Sequence, residues 1–183
     1  MPRRRPVLAA LALALAAVLA PACASRIQHH TQYSEDVDFG RIQTYAWIRD
    51  AGIIDLSPDA AQLKDPARVE GMIREAVDRE LANKGLRQVA HDEADVLVMF
   101  TLGIRTLEVA IGTNAVEYGL VWHSKESEIH QRGELSLDIF DRASKAHIWH
   151  GSAEKRITED DEPAVLVDRA AVLILSEFPP APR

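Results

Sequence analysis

Hydrophobic and polar positions alternate with a period of two in several segments, which is typical of β-strands whose two faces differ. The segment VDFGRIQTYAWI alternates in this way and predicts a first strand over residues 42–48, followed by a connection rich in Gly, Asp, Ser and Pro from Asp50 to Lys64. In the segment ADVLVMFTLGIRTLEV, residues 94–109, both alternating sets are apolar. A strand that is buried on both faces belongs in the middle of a sheet.

The segment GELSLDIFDRASKAHIWHGSAEK, residues 133–155, predicts two antiparallel strands joined by a polar turn. In the first of them, Leu135, Leu137 and Ile139 alternate with polar residues, and the second contains Trp149 as a predicted core residue. The segment NAVEYGLVWHSKES predicts a further strand around Trp122, after a loop at residues 112–114.

Two segments have the longer period of an α-helix. DPARVEGMIREAVDRELANKGL begins with Asp65 as a candidate N-cap and Pro66 at the first helical position, and Gly85 is its stop signal. The last helix starts at Asp161 or Glu162 and ends before the two prolines that follow Phe178. Its predicted buried face contains Val165, Ala171, Val172, Leu175 and Phe178.

These elements predict an α+β fold, a single domain over residues 38–180. A mostly antiparallel sheet of about five or six strands packs against two helices, one after the first predicted strand and one at the C-terminus.

The N-terminal segment, MPRRRPVLAALALALAAVLAPACAS, combines three arginines, an apolar run and a stretch of small residues. This arrangement is typical of a secretory signal peptide, which we place at residues 1–22. The apolar run from Val7 to Ala20 is shorter than the roughly 20 residues that a membrane-spanning helix needs. We therefore expect cleavage and a mature protein outside the cytoplasm.

Cys23, the single cysteine of the chain, follows that run directly. Because an exported lone cysteine has no partner for an intramolecular disulfide, lipid attachment explains its position best. The stretch Leu19 to Cys23 resembles a bacterial lipobox, although its leucine lies one residue too early. Cleavage by an ordinary signal peptidase around Ala22 is the alternative, and it would release a soluble protein. Residue Ala24 is not the aspartate that retains lipoproteins at the inner membrane, so we expect outer-membrane anchoring that faces the periplasm.

Residues 23–37 lack hydrophobic periodicity and predict a polar linker between the lipid and the domain. The formal net charge of the chain is −7, and the first 22 residues contribute only positive charge. An acidic mature domain is a poor nucleic-acid binder. The expected partners are the membrane, through acylated Cys23, and an unidentified envelope protein.

Candidate chemistry is sparse. His147 and His150 are three residues apart in a predicted strand, so regular strand geometry places them on opposite faces and argues against a shared metal ion. The same argument separates Asp138 from Asp141. The pair His29 and His30 lacks a third ligand, and the acidic turn at residues 91–95 lacks the spacing of a calcium loop.

We also find no nucleophile elbow, phosphate loop, dinucleotide fingerprint, HExxH or CxxC motif in the sequence. The sequence therefore predicts no catalytic residue, no cofactor and no metal site.

An ordered set of short motifs resembles a family of bacterial envelope lipoproteins, domain of unknown function 4136. The motifs are DF-x-x-I-x-T-YAW, L-x-x-KGL, ADVLV, GELSLDIFD, IWHGSA and a terminal FPP, and they cover roughly residues 37–180. The resemblance implies a lipid-anchored periplasmic α+β domain and provides no established activity to transfer. A non-catalytic binding or assembly module is the favoured interpretation. An unrecognised hydrolase and a purely structural envelope component remain as alternatives.

Overall fold

The computed structural model describes residues 26–56, 65–117 and 120–179. They form one six-stranded sheet in the order β1-β6-β5-β4-β2-β3, with two helices on one face. The strands are β1 (Gln28–Tyr33), β2 (Thr44–Leu56), β3 (Arg87–Gln88), β4 (Val96–Glu117), β5 (Leu120–Asp141) and β6 (His147–Ile157); the helices are α1 (Pro66–Asn83) and α2 (Pro163–Leu175). Pairing is antiparallel except for β2, which runs parallel to β3 and β4. The predicted α+β class is confirmed, and β4 lies in the interior of the sheet.

Strand β1 corrects the prediction of a patternless linker over residues 23–37. Residues Gln28–Tyr33 pair antiparallel with β6 at the edge of the sheet. The hydroxyl of Thr31 donates a hydrogen bond to Glu177, and the ring of Tyr33 meets that of Phe39 edge to face. The predicted signal peptide and Cys23 lie outside the described residues.

Strands β4 and β5 form one long hairpin, so the predicted loop at residues 112–114 is wrong. Their register continues from the pair Val96 and Asp141 to the pair Glu117 and Leu120. Beyond Ile104 on β4 and Gln131 on β5, the two strands pair only with each other among the described residues. Cross-strand hydrogen bonds pair the inward-pointing backbone groups of the two strands, and this pairing does not depend on hydrophobic alternation in the sequence.

Strand β2 is also longer than the pattern predicts, since it continues to Leu56 through the segment expected to be a connection. Its register with β4 shifts between Trp47 and Gly52, where four residues of β2 lie opposite the single residue Met99. Such an irregularity interrupts the period of two, and for this reason the pattern of the sequence does not reveal the second half of the strand.

Helix α1 forms as predicted. The side chain of Asp65 accepts a hydrogen bond from the backbone N–H of Arg68 at 3.0 Å, and Pro66 occupies the first turn. After the helix, Gly85 adopts φ +89°, a conformation that favours glycine. The buried face contains Ile73, Ala76, Val77 and Leu81.

Helix α2 packs on both the sheet and α1, and this changes its buried face from the predicted one. Ala171, Leu175 and Phe178 are buried as predicted, but Val165 and Val172 are 45% and 47% exposed. These two valines are seven residues apart and lie on the side opposite the stripe formed by Ala170, Ala171, Ile174 and Leu175. Arg79 of α1 forms an ion pair with Asp168 of α2 at 2.9 Å.

Trp149 lies in the centre of the core, as the sequence predicts. It is 1% exposed and meets the ring of Phe178 edge to face at 5.4 Å between centroids. The indole ring lies over Gly151, where a Cβ atom would collide with that ring and with Ile174. A glycine at this position therefore lets the largest core side chain lie flat against its own strand.

Asp78 of α1 joins the helix to strand β2. Its Oδ1 atom accepts hydrogen bonds from the Tyr45 hydroxyl at 2.8 Å and from the Trp47 indole N–H at 2.9 Å. Burial raises the pKa of Tyr45, and the hydrogen bond to Asp78 and the charge of Asp78 raise it further. The guanidinium of Arg74 lies 4.6 Å above the ring of Trp47.

Asp95 joins the start of β4 to the start of β2. Its Oδ2 atom accepts from the backbone N–H groups of Gln43 and Thr44, both at 2.9 Å, and from the Thr44 hydroxyl at 2.8 Å. In return, the N–H of Asp95 donates to the Thr44 hydroxyl at 2.9 Å. The backbone N–H of Gln43 is the largest of the effects that hold the pKa of this carboxyl below its usual 3.8, against an opposing effect of partial burial. The predicted acidic turn thus contains a structural carboxylate.

We expect Trp149→Ala to lower the free energy of unfolding by about 3–5 kcal/mol, because the truncation opens a large cavity in the core. Urea denaturation followed by circular dichroism measures the change. Val172→Ala, on the exposed side of α2, is the matched control and should change stability by no more than about 0.5 kcal/mol. A loss at Trp149 as small as that of the control would contradict the placement of this ring.

We expect the stabilisation by Asp95 to disappear in acid. Its pKa is lowered in the folded state, so its contribution is complete above the pKa of the unfolded chain and is lost as pH falls through the folded pKa. The difference in unfolding free energy between wild type and Asp95→Asn should be constant above about pH 5 and shrink below about pH 4. The measurement is urea denaturation across this pH range.

Asp160→Asn, which removes an exposed carboxylate from a turn, is the control for general charge effects. A difference for Asp95→Asn that does not depend on pH, or one that grows in acid, would contradict the assignment.

Candidate functional site

Among the described residues, one face of the sheet carries no helix, and we call it the open face. Both helices pack on the other face, over Val98, Leu137 and Trp149. At one end of the open face, Ala46, Ala94 and Leu97 form a small buried cluster with Ile48 and Val89 against it. The rest of the open face includes these side chains of intermediate exposure: Met99, Thr101, Ser136, Asp138, Phe140, His150 and Ser152.

Three potential ligands meet on the open face. The Nδ1 atom of His150 lies 2.8 Å from Oδ1 of Asp138, and the Nε2 atom of His147 lies 2.8 Å from the same oxygen. Candidate ligand atoms of the three side chains all lie within 4.8 Å of one another. Asp138 is 15% exposed and His147 is 47% exposed. The group, which we call the Asp138 cluster, is therefore partly shielded and open to solvent on one side.

The expectation that His147 and His150 face opposite sides of the sheet is wrong, because β6 contains a bulge. Ile139 pairs with Trp149 and Phe140 pairs with His147, so Ile148 is an extra residue without a partner on β5. Ile148 and Trp149 are both buried although they are adjacent in the chain. One extra residue reverses the alternation that follows it, so the two histidines reach the same face.

One feature of the sequence could have indicated the bulge. In IWHGSA, the large apolar residues Ile148 and Trp149 are adjacent, whereas regular alternation in a strand with one open face buries only every second residue. A strand that buries both must interrupt its period.

The remaining candidates do not join the Asp138 cluster. Asp141 is the last residue of β5, and its Oδ1 atom accepts hydrogen bonds from the backbone N–H of Ser144 at 2.7 Å and from the Ser144 hydroxyl at 2.6 Å. The Ser144 hydroxyl is the largest effect that lowers the pKa of Asp141. His29 pairs in register with Ala153 and His30 with Ser152, so these adjacent histidines lie on opposite faces of β1.

The acidic turn at residues 91–95 is likewise not a single site. Its histidine, His91, lies 3.2 Å from the neighbouring Asp92, while the Asp95 carboxylate accepts hydrogen bonds from the start of β2. The Asp95 carboxylate is thus already bound to the backbone and side chain of the neighbouring strand.

The helix face contains a separate groove of about 520 Å³ between the N-terminal ends of α1 and α2, the middle of β4 and β5, and the C-terminal end of β6. Most of its lining is apolar and includes Ile27, Met72, Ile104 and Val167. At its edge, Lys155 forms an ion pair with Asp161. The three side chains of the Asp138 cluster are absent from its lining.

The Asp138 cluster has the composition of a metal-ligand set. Imidazole and carboxylate groups are common ligands of divalent transition metals. Among the described residues, no hydroxyl or thiol is hydrogen-bonded to His147 or His150. The arrangement therefore lacks the nucleophile that a Ser–His–Asp triad requires.

Comparisons with known proteins identify the family. The chain matches the family described as "Domain of unknown function (DUF4136)" over residues 29–180. No match was found among curated proteins.

Two solved structures share the fold at low sequence identity. A DUF4136 family protein from Bacteroides thetaiotaomicron is 12% identical, with a TM-score of 0.51, over 84% of this chain and 96% of that one. A PDZ domain protein from Parabacteroides distasonis is 15% identical, with a TM-score of 0.53, over 87% of this chain. The match spans only 38% of the length of that second protein.

Neither helix of the described ranges combines the length and the apolar character that crossing a membrane would require.

Proposed function

We propose a function for this chain from the premise that it belongs to the DUF4136 family, a domain of unknown function. The chain is a lipid-anchored, non-catalytic binding or assembly module of the bacterial cell envelope. It is attached to the outer membrane through acylated Cys23 and faces the periplasm.

The open face is the observation on which this proposal depends. Side chains at the centre of a sheet usually pack against another layer, yet Met99, Ser136 and Phe140 have no helix above them among the described residues. A partner that covers this face would complete the second layer. The surface combines apolar side chains with hydroxyl groups, which is the mixed composition of many non-obligate interfaces.

The position of β1 supports attachment close to the membrane. Because β1 begins at Gln28, the chain between Cys23 and the sheet spans at most about 18 Å even when fully extended. This is a much shorter tether than a linker that continues to residue 37 would be. The domain would therefore search a thin layer beside the membrane, where confinement raises the effective concentration of a membrane-bound partner.

Net charge narrows the class of partner. The chain contains 28 acidic and 21 basic residues, so nucleic acid and anionic lipid headgroups are repelled at long range. A protein partner that contacts the open face through mixed apolar and polar groups fits the charge better. We propose an envelope protein in this role.

We expect Cys23→Ala to release the protein from the membrane fraction or to stall its processing, because the acyl chains provide the attachment. Cell fractionation and mass spectrometry of the mature N-terminus measure the outcome. Anchoring the Cys23→Ala domain through an unrelated lipoprotein leader should restore both the membrane location and any cellular phenotype. A wild-type protein that is already soluble and has an unmodified N-terminus would contradict the anchor.

We also expect partner contacts to be confined to the open face. A photo-crosslinking residue at Ser136 or Thr101 should give a discrete adduct in intact cells, whereas one at Val172, on the exposed side of α2, should give none. The adduct should weaken when Cys23→Ala removes the confinement. Equal labelling from both faces, or turnover of a small substrate that one histidine or aspartate substitution abolishes, would contradict a binding role for the open face.

A further inference from the structure

We propose that Asp138, His147 and His150 form a binding site for a divalent transition-metal ion of the zinc class. The inference depends on neither the lipid anchor nor the partner, because it follows from the geometry of three side chains on two neighbouring strands.

The first argument is the convergence of ligand atoms on one point. Two ring nitrogens approach a single carboxylate oxygen, each at 2.8 Å, from His147 and from His150. Without a metal, that oxygen can accept a hydrogen bond from the ring N–H of His150, and the Nε2 atom of His147 lies at the same distance from it. A cation between these three atoms would bind one nitrogen lone pair of each neutral imidazole, with the ring proton on the other nitrogen, and would neutralise the carboxylate.

The two O···N distances require only a small adjustment, and the candidate ligand atoms already lie within 4.8 Å of one another. In a tetrahedral zinc site with bonds of about 2.0–2.2 Å, neighbouring ligand atoms lie roughly 3.3 Å apart. The two nitrogens would therefore move outward from Asp138 by about half an ångström, which small side-chain rotations achieve. The sheet itself need not move.

The second argument is that the backbone and a neighbouring ring already position the ligands. Asp138 and His150 are directly paired across β5 and β6, so the ladder fixes their separation. The bulge at Ile148 directs His147 to the same face. Its ring lies against Phe140, 4.9 Å between centroids and tilted by 33°. Ligands on strands are more precisely placed than ligands on loops.

The ligand types select the class of metal. Imidazole nitrogens suit zinc, copper, nickel and iron, whereas calcium and magnesium prefer sets of oxygen ligands. Three protein ligands leave one position of a tetrahedral site unfilled. Because His147 is 47% exposed, that position faces solvent and would be filled by water.

Isothermal titration of the full-length chain with zinc chloride tests the proposal. All samples contain Cys23→Ser, because a lone thiol could bind zinc by itself. We expect one zinc ion per chain, with a dissociation constant on the order of micromolar or tighter. Asp138→Asn, His147→Ala and His150→Ala should each weaken binding at least about tenfold.

The matched control is a double variant, His29→Ala with His30→Ala, which removes two imidazoles from outside the cluster. It should keep the wild-type zinc affinity. Absence of zinc binding, wild-type zinc affinity in all three cluster variants, or loss of binding only in the control would overturn the proposal. A large excess of Mg²⁺ should leave zinc binding unchanged, and displacement of zinc by Mg²⁺ would overturn the assignment to a transition metal.

NMR spectroscopy of the protein with Asp138, His147 and His150 intact provides a second test, which does not depend on whether the substituted variants fold. Stoichiometric zinc should shift the imidazole NMR signals of His147 and His150. Shifts confined to other histidines would overturn the site, and unchanged imidazole signals at every histidine would overturn it as well.

Discussion

The extra residue at Ile148 is the constraint on which the rest of the structure depends. It allows β6 to bury both Ile148 and Trp149, so that one strand supplies two adjacent side chains to the core. The indole ring of Trp149 then lies over Gly151 and meets Phe178 after α2, which fixes the C-terminal end of that helix against the sheet. The same reversal of alternation brings His150 to the side of His147 on the open face. Core packing and the Asp138 cluster are thus two results of one backbone irregularity.

Hydrogen bonds from polar side chains fix the relative positions of a helix and a strand and of two strand ends, because apolar packing is not directional. Asp78 lies between α1 and β2 and receives both polar groups of the aromatic pair Tyr45 and Trp47. Asp95 joins two parallel strands that are separated in the chain by α1. Each carboxylate accepts several hydrogen bonds from groups that a folded chain must satisfy. Some of the acidic residues therefore serve to hold the fold together. The number of carboxylates that a partner can contact is smaller than the total number of acidic residues.

Capping residues and hydrophobic periodicity in the sequence predict the helices and the central strands. They do not predict the edge strand β1 or the irregular parts of β2 and β6. Helix α1 has a cap, a proline and a glycine in the expected places, and β5 alternates strictly around Leu137. Strand β1 is polar because it lies at an edge, where neither face is deeply buried, so no hydrophobic period distinguishes it from a linker. The Asp138 cluster was excluded by an argument that is correct for a regular strand. The bulge in β6 depends on tertiary packing around Trp149. Assigning residues to faces by a period of two assumes a strand without bulges.

The pairing of β1 with β6 also determines the order in which this chain can fold. The two strands are separated by about 120 residues of chain, so their contacts are among the most non-local of the fold. The hairpins β4–β5 and β5–β6 involve neighbouring segments and can form early, whereas β1 is synthesised first and must wait for its partner. Until then the outer edge of β6 is unpaired and open to the strands of other chains. Pairing of the N-terminal strand with β6 is therefore a late step in folding. The longer this pairing is delayed, the longer the unpaired edge of β6 can pair with another chain.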